Sequence, residues 1–348
     1  MYDLILDPTT MNPHLKYLIP NSVYYTCPGK MFSNFWNGGE TIPDIFNKYK
    51  INLEEELKII NNVCIRNNKF NNMYFSLSIL STEEIHQGKS NKLWIEYYKT
   101  LYNKFIPFIS GKIIIIDNHG GDYEPTVYLN KFNFKYDIIL KRIYSNRNKN
   151  NYLSNTFSYP FIMDTNNDPL IKLYNLPILS KNVFDKINKI FWAGSLFEHH
   201  EEWDNNNTYE HTDRIKIVNS FNTKYQNILD IKRVPYNLFH ETMCKYKYAL
   251  DIRGTSRLNK RLYEIFSTNT LLLAEKIDII WPFEEGDSFS QECFFEQGNA
   301  DDLYRIYNNF ENNPQLYNKC LENQLYIVKK YFNNEWIWNY IKSLLIVI

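Results

Sequence analysis

The sequence predicts an α/β protein of two domains, each built on a parallel sheet, and three observations carry that prediction. Lys112-Ile-Ile-Ile-Ile-Asp117 is a continuous β-branched run, the pattern of a strand buried on both faces. From Lys189 onward, short apolar runs alternate with helical stretches, as in a parallel sheet covered by helices. Between these regions, Ser145 to Asn182 is rich in Asn, Pro and Ser and has little periodicity, which places an interdomain linker in its later part. The length of 348 residues suits two medium domains. The expected division is 1–170, 171–332 and a terminal helix over 333–348.

Taken in order, Asn52 to Asn61 is expected to be helical, because Leu53, Leu57 and Ile60 fall at i, i+4 and i+7. Lys92 to Phe105 is a second helix, with Leu93, Tyr97 and Leu101 on one face. The strand at 112–117 runs into Asn118-His-Gly-Gly-Asp122, and Tyr136 to Lys141 is the next strand. In the second half, strands are expected at Lys189 to Ala193, Ile228 to Ile231, Tyr246 to Ile252 and Leu271 to Ala274. Helices are expected around Arg214 to Phe221, Pro235 to Cys244, Leu258 to Ser267, across 300–332, and from Glu335 to Leu345, the last carrying Trp336, Trp338 and Tyr340. No internal repeat is visible.

Composition excludes several classes. Lys plus Arg and Asp plus Glu are 39 each, so the chain has no overall basic field for a nucleic-acid backbone, and any anion site must be local. An apolar fraction of 44% with 17% aromatics excludes a disordered chain. The five cysteines, Cys27, Cys64, Cys244, Cys293 and Cys320, form no CxxC pair and no zinc-like grouping, and read as buried thiols in a reducing compartment. The first residues lack the basic and apolar regions of a signal peptide, and no segment approaches the ~20 apolar residues of a membrane span. A soluble, cytoplasmic protein is expected. Only 11 glycines are present, about half of average usage, so each is read as a marker of conformational need.

The strongest local signal is Asp251-Ile-Arg-Gly-Thr-Ser-Arg-Leu-Asn-Lys-Arg-Leu-Tyr-Glu264, between two expected strands. Open α/β sheets bind ligands outside the carboxyl ends of their strands, where a helix amino terminus offers N–H groups to phosphate. Gly254 opens the turn. Arg253, Arg257, Lys260 and Arg261 place four cations within nine residues, with Arg257 and Arg261 expected as i, i+4 neighbours on one helical face. Such a cluster in a neutral chain suits a diphosphate, and Glu264 is placed to accept from ribose hydroxyls. The alternative for the same residues is a solvated helix face with Arg261 paired to Glu264.

This passage also carries a family resemblance. Tyr246 to Phe283, with its strand, glycine turn, basic Ser-x-Arg-type helix, apolar strand and Trp-Pro-Phe loop, resembles the donor-binding half of GT-B glycosyltransferases. Within them it is most similar to the CAP10-like O-glucosyltransferases and the exostosin domain. Upstream, Ile190-Phe-Trp-Ala-Gly-Ser195 followed by Arg214 resembles the first strand and helix of that half, with Ala193 where those families carry Arg. The match covers roughly the last 160 residues, and the first half matches only in architecture.

The resemblance implies two Rossmann-like domains facing each other across a cleft, closed by the terminal helix, and a role in glycan biosynthesis. It implies a nucleotide-sugar donor, UDP ahead of GDP, whose sugar passes to a hydroxyl of a glycan or protein. Arg253, Arg257 and Arg261 would neutralise the diphosphate as its bond to the sugar breaks, and Gly194 and Ser195 would approach it by backbone. No cofactor beyond the donor and no metal are then expected, and the chain contains no Asp-x-Asp triplet.

Inversion, also implied by the resemblance, needs a general base from the first domain. Asp122 is the first candidate, His119 the second and Glu124 the third, because their loop follows the 112–117 strand directly. A plain strand-exit loop is the alternative. His199, His200 and His211 read as solvated loop residues, Asn37-Gly-Gly39 as a turn, and Trp281-Pro-Phe283 as a packed loop. A non-catalytic α/β nucleotide-sugar-binding protein is the rival function. A phosphotransferase or dehydrogenase is disfavoured, since neither Gly-x-x-x-x-Gly-Lys-Ser/Thr nor Gly-x-Gly-x-x-Gly occurs.

Overall fold

The β-branched run at 112–117 forms strand β4, Ile113–Asp117, with Ile114, Ile115 and Ile116 fully buried. The structure, a computed structural model, describes residues 2–7, 15–25, 58, 62, 69–76, 99–117, 129–130, 133–161, 180, 182, 185–193, 211–252, 258 and 260–347. Around β4 stand β1 (Tyr2–Leu6), β2 (Ser22–Tyr25), β3 (Phe70–Ser76), β5 (Ile138–Lys141) and β6 (Thr156–Ser158). The sheet order is β2-β1-β3-β4-β5-β6, every pairing parallel. A short helix, α1 (Leu15–Leu18), lies between β1 and β2 in the chain.

Polar side chains set where these strands begin. Asp137, expected inside a strand, instead accepts the Ile113 N–H on its Oδ2 at 2.7 Å, and β5 starts at Ile138, two residues later than the expected Tyr136. Asp3 Oδ1 accepts from the backbone and side-chain nitrogens of Asn72, at 3.0 and 3.2 Å, and Asn72 Oδ1 accepts the Lys112 N–H at 2.9 Å. Desolvation raises the Asp3 pKa despite these bonds. Gly111 sits against this junction, where a Cβ would lie 2.7 Å from both Asn71 O and Asn72 Oδ1, so only glycine fits without a shift. Strands β1, β2, β3 and β6 were not expected from the sequence.

The second sheet comprises β7 (Ile187–Trp192), β8 (Leu229–Ile231), β9 (Tyr246–Asp251), β10 (Leu271–Glu275) and β11 (Phe294–Phe295), in the order β11-β10-β9-β7-β8 and again wholly parallel. Helices α2 (His211–Lys224), α3 (Tyr236–Met243) and α4 (Lys260–Phe266) connect its strands, followed by α5 (Ala300–Asn312), α6 (Pro314–Tyr331) and α7 (Asn334–Val347). Every expected strand and helix after Lys189 is present within a few residues of its expected ends, and the 300–332 stretch is helical as expected. It falls into two parts, because Pro314 opens a second helix behind Asn313, whose side chain accepts from Leu316 N at 3.0 Å, giving α5 and α6. The core joins Ile190, Trp192 and Leu250 of the sheet to Val218 and Phe221 of α2 and Leu303 and Phe310 of α5.

In both sheets the second strand in sequence flanks the first on one side, and the third and later strands lie on the other. This is the doubly wound order with a switch point between first and third strands, β1/β3 in one sheet and β7/β9 in the other. By internal contacts the chain divides into Met1–Ile171 with Ile337–Ile348, and Lys172–Trp336. Helix α7 buries Ile337, Ile341 and Leu344, while Trp336, Trp338 and Tyr340 are half-buried. Cys244, Cys293 and Cys320 are buried free thiols; Cys27 and Cys64 lie outside the described residues. No described helix is long and apolar enough to cross a membrane.

Lys186 is the unexpected buried charge of the second unit. Its Nζ donates to Asn269 O at 2.6 Å, Asn269 Oδ1 at 2.8 Å and Tyr246 O at 3.3 Å, tying the starts of β7 and β9 to the turn before β10. Burial lowers its pKa from 10.5 to about 8. The unfolded chain keeps this proton up to about pH 10.5, whereas the folded chain releases it from about pH 8. Stability from this site therefore rises with pH across that window and is lost as pH falls through the folded value. Denaturant melts of wild type and Lys186→Met at several pH values check this: wild type should gain on the variant between pH 8 and 10.5, and a constant difference would rule the effect out.

Candidate functional site

The exits of β7 and β9 are adjacent at the switch point of the second sheet, since Phe191 of β7 pairs with Ala249 of β9. A cavity of about 530 Å³ opens at this carboxyl edge, lined by Ala193, Lys232, Arg233, Val234, Pro235, Phe239, Arg261 and Glu264. Three elements supply it. Ala193 directly follows β7, residues 232–235 form the loop from β8 to α3, and Arg261 and Glu264 stand on α4. The loop is held to the sheet by Lys232 N–H donating to Trp192 O at 2.8 Å. Pro235, with φ −53°, then leads into α3, which places Phe239 one turn in.

Arg261 is fixed on three sides. Its guanidinium carbon lies 4.4 Å from the centroid of Phe239, Nη2 donates to Ala193 O, and Nη1 stands 3.5 Å from Glu264 Oε2. The side chains of Arg261 and Glu264 are 18% and 6% exposed, so the predicted i, i+3 pair exists but is not a solvated face; it forms a wall of the cavity. Among the described residues, three cations, Lys232, Arg233 and Arg261, line the cavity against one carboxylate, Glu264. The formal charge of these described lining residues is therefore positive, in a chain whose net charge is zero.

Arg214 makes the complementary contact. Its guanidinium lies 5.6 Å from the Trp192 ring centroid, and Nη2 donates to Ile252 O at 3.4 Å. The helix after β7 thus reaches the exit of β9, and the helix after β9 reaches the exit of β7 through Arg261. Each arginine rests on an aromatic ring as it does so, which holds the two strand exits together.

Of the sequence-predicted residues, Arg261 and Glu264 meet in the cavity. Arg214 is not among the lining residues. Lys260 is the first residue of α4, and its side chain lies outside the described residues. Because the described helix begins at Lys260, the expected helical i, i+4 relation between Arg257 and Arg261 does not fall within it. Gly194, Ser195, Arg253, Gly254 and Arg257 lie outside the described residues, as do Asp122, His119, Glu124, His199, His200 and Asn37 to Gly39. His211 opens α2 with its side chain likewise outside them. Trp281 and Phe283 stack at 5.4 Å and pack on Phe289 and Phe332, as expected of a packed loop.

Sequence reasoning missed Lys232, Arg233, Val234, Pro235 and Phe239. A signal was present: the dibasic Lys232-Arg233 directly follows an expected strand and precedes an expected helix, as the Arg253 segment does, but without a glycine to mark it. Among the described residues, no three His, Cys, Asp or Glu side chains cluster as metal ligands would.

No protein-family model matches the chain, and no curated protein matches it by sequence. Solved structures do match, and the class they define is that of glycosyltransferases, with which this chain shares its fold. An alpha-glucosyltransferase in complex with UDP and a 13-mer DNA containing an HMU base aligns at TM-score 0.56 and 10% identity, over 99% of each chain. An alpha-glucosyltransferase with UDP and a 13-mer DNA containing a central A:G mismatch aligns at 0.53 and 10%, over 99% of this chain and 98% of that one. A glycosyltransferase from Rickettsia africae ESF-5 aligns at 0.52 and 12%, over 99% of this chain and 97% of that one. At such identities the likeness is one of fold.

Proposed function

We propose that this chain is a GT-B glycosyltransferase that moves a sugar from a nucleotide-diphosphate sugar, UDP ahead of GDP, to an acceptor hydroxyl. The observation that carries the proposal is the cationic cavity at the β7/β9 switch point, where Arg261 and Glu264 stand side by side. Arg261 would neutralise charge developing on the leaving diphosphate, with Arg253, Arg257 and Lys260 from the same segment. Glu264 would accept from ribose hydroxyls, while the apolar rim of Val234 and Pro235 suits the flat face of a base. Gly194, Ser195 and Gly254 would let backbone approach the phosphates. The CAP10-like and exostosin resemblance, the UDP held by two of the similar structures, and the two doubly wound sheets support this reading. In the GT-B arrangement the two domains face each other across a cleft, and Asp122, with His119 second, would take the proton of the acceptor hydroxyl from the first domain.

The fixed cations supply the charge stabilisation that a metal gives other transferases, so transfer is expected to persist in EDTA. A strict Mn²⁺ requirement would overturn that step. Zero net charge argues for a glycan or protein acceptor, but two of the similar structures hold DNA, so duplex oligonucleotides belong in the acceptor panel.

A panel of UDP- and GDP-sugars, read first by thermal shift and then by sugar release or transfer, tests the function. One donor should stabilise the chain and be consumed. Asp122→Asn should keep donor affinity and lose transfer; full turnover would move the base elsewhere. The anomer of the product, read from its proton coupling, tests inversion: a β product from an α-linked donor fits it, and an α product overturns it. Binding without turnover on any acceptor would favour the non-catalytic nucleotide-sugar-binding protein.

A further inference from the structure

We infer that Phe239 is a positioning residue for Arg261, an aromatic shelf that holds the guanidinium at the cavity wall and so sets affinity for the diphosphate. The inference rests on the nucleotide-diphosphate reading of the cavity. An arginine on a surface helix samples many rotamers and, unaided, reaches a phosphate only by giving up that freedom. Here the freedom is already gone. The guanidinium lies 4.4 Å from the Phe239 centroid, its Nη2 is tied to Ala193 O, and its Nη1 faces Glu264.

The ring face attracts the cation and limits where it can go: with its central carbon 4.4 Å from the Phe239 centroid, the guanidinium is kept against the wall that Ala193 and Glu264 also form. Phe239 is itself held: it is 5% exposed, and its ring packs against Phe191 of β7 at 5.6 Å and edge-on to His240 at 5.4 Å. The shelf is therefore anchored to the strand whose exit carbonyl Arg261 also grips. Phe239 lies on the element after β8 and Arg261 on the element after β9, so two separate segments must fold together to create the geometry.

A merely packed phenylalanine and a cation shelf differ in one measurable respect. Ring fluorination keeps the volume and apolar character of the side chain while withdrawing the negative π-face that attracts a cation. The experiment places fluorinated phenylalanines at position 239 of the full chain, beside Phe239→Leu and Arg261→Ala, and measures affinity for UDP and for uridine together with the melting temperature. The dissociation constant for UDP should rise stepwise with fluorination and by about tenfold in Phe239→Leu. Uridine affinity and the melting temperature of the fluorinated proteins should not move. GDP and guanosine replace the pair if GDP is the nucleotide bound. Wild-type affinity for UDP in the fluorinated protein would overturn the inference while leaving the cavity assignment intact, provided Arg261→Ala still weakens binding. A wild-type chain that binds neither UDP nor GDP would remove the functional reading and this inference with it.

Discussion

Arg261→Ala is expected to weaken UDP binding by about 10- to 150-fold, since hydrogen bonds to charged groups contribute about 1.5–3 kcal/mol and each 1.4 kcal/mol is about tenfold in Kd. The expectation rests on where the arginine sits. Its side chain is only 18% exposed and shares the cavity wall with Glu264, 6% exposed, so its removal leaves a carboxylate facing the incoming diphosphate. Loss of attraction and gain of repulsion act in the same direction. Arg261→Lys should recover little, because a compact ammonium cannot at once meet the Phe239 ring, Ala193 O and Glu264 as the guanidinium does. Calorimetric titration checks this, with melting temperature measured in parallel to separate binding from folding. Equal affinity of wild type and Arg261→Ala would detach the diphosphate from this residue.

Lys141→Met is expected to cost about 3–5 kcal/mol of stability, the range found when one partner of a buried ion pair is removed. Lys141 Nζ lies 3.0 Å from Asp117 Oδ2, with the two side chains 0% and 3% exposed. The pair is dictated by register: Asp117 and Lys141 are the last residues of β4 and β5 and stand opposite each other. Tyr152 covers the ammonium at 5.7 Å, so little water reaches it. Replacing both partners, as Lys141→Met with Asp117→Leu, should restore much of the loss, because buried pairs exchanged for apolar residues are often neutral. Urea melts decide it. A single variant as stable as wild type would mean that the pair contributes nothing. Asp117 immediately precedes Asn118 to Asp122, so a stable double variant with unchanged donor affinity also offers a way to ask whether this edge of the sheet affects transfer.

The fold was legible where burial leaves a continuous trace. Strands enclosed on both faces are mostly apolar, so β4, β7, β9 and β10 stand out by their apolar runs, and the helices between them follow from spacing. The missed strands break that rule for identifiable reasons. β1 and β3 carry Asp3 and Asn72, which satisfy each other and Lys112 inside the sheet and so look like loop residues in one dimension. β2, β6 and β11 are edge strands of four, three and two residues, too short for periodicity to register.

The site divides in the same way. Arg261 and Glu264 were legible because one strand–helix segment holds both at i, i+3. Phe239 and the Lys232 to Pro235 loop were not, since they come from the neighbouring strand and meet Arg261 only through the parallel pairing of β8, β7 and β9. The resemblance assigns Arg214 to the donor site; its contacts with Trp192 and Ile252, which link two strand exits, are ones no spacing rule could indicate.

The central claim is that the cavity at the β7/β9 switch point holds a nucleoside diphosphate. Calorimetric titration of the full chain with UDP and with GDP tests it most directly. The account predicts saturable one-to-one binding of UDP, or of GDP in its place, lost or strongly weakened in Arg261→Ala. Absence of binding to either nucleotide, or binding that Arg261→Ala leaves untouched, would contradict it.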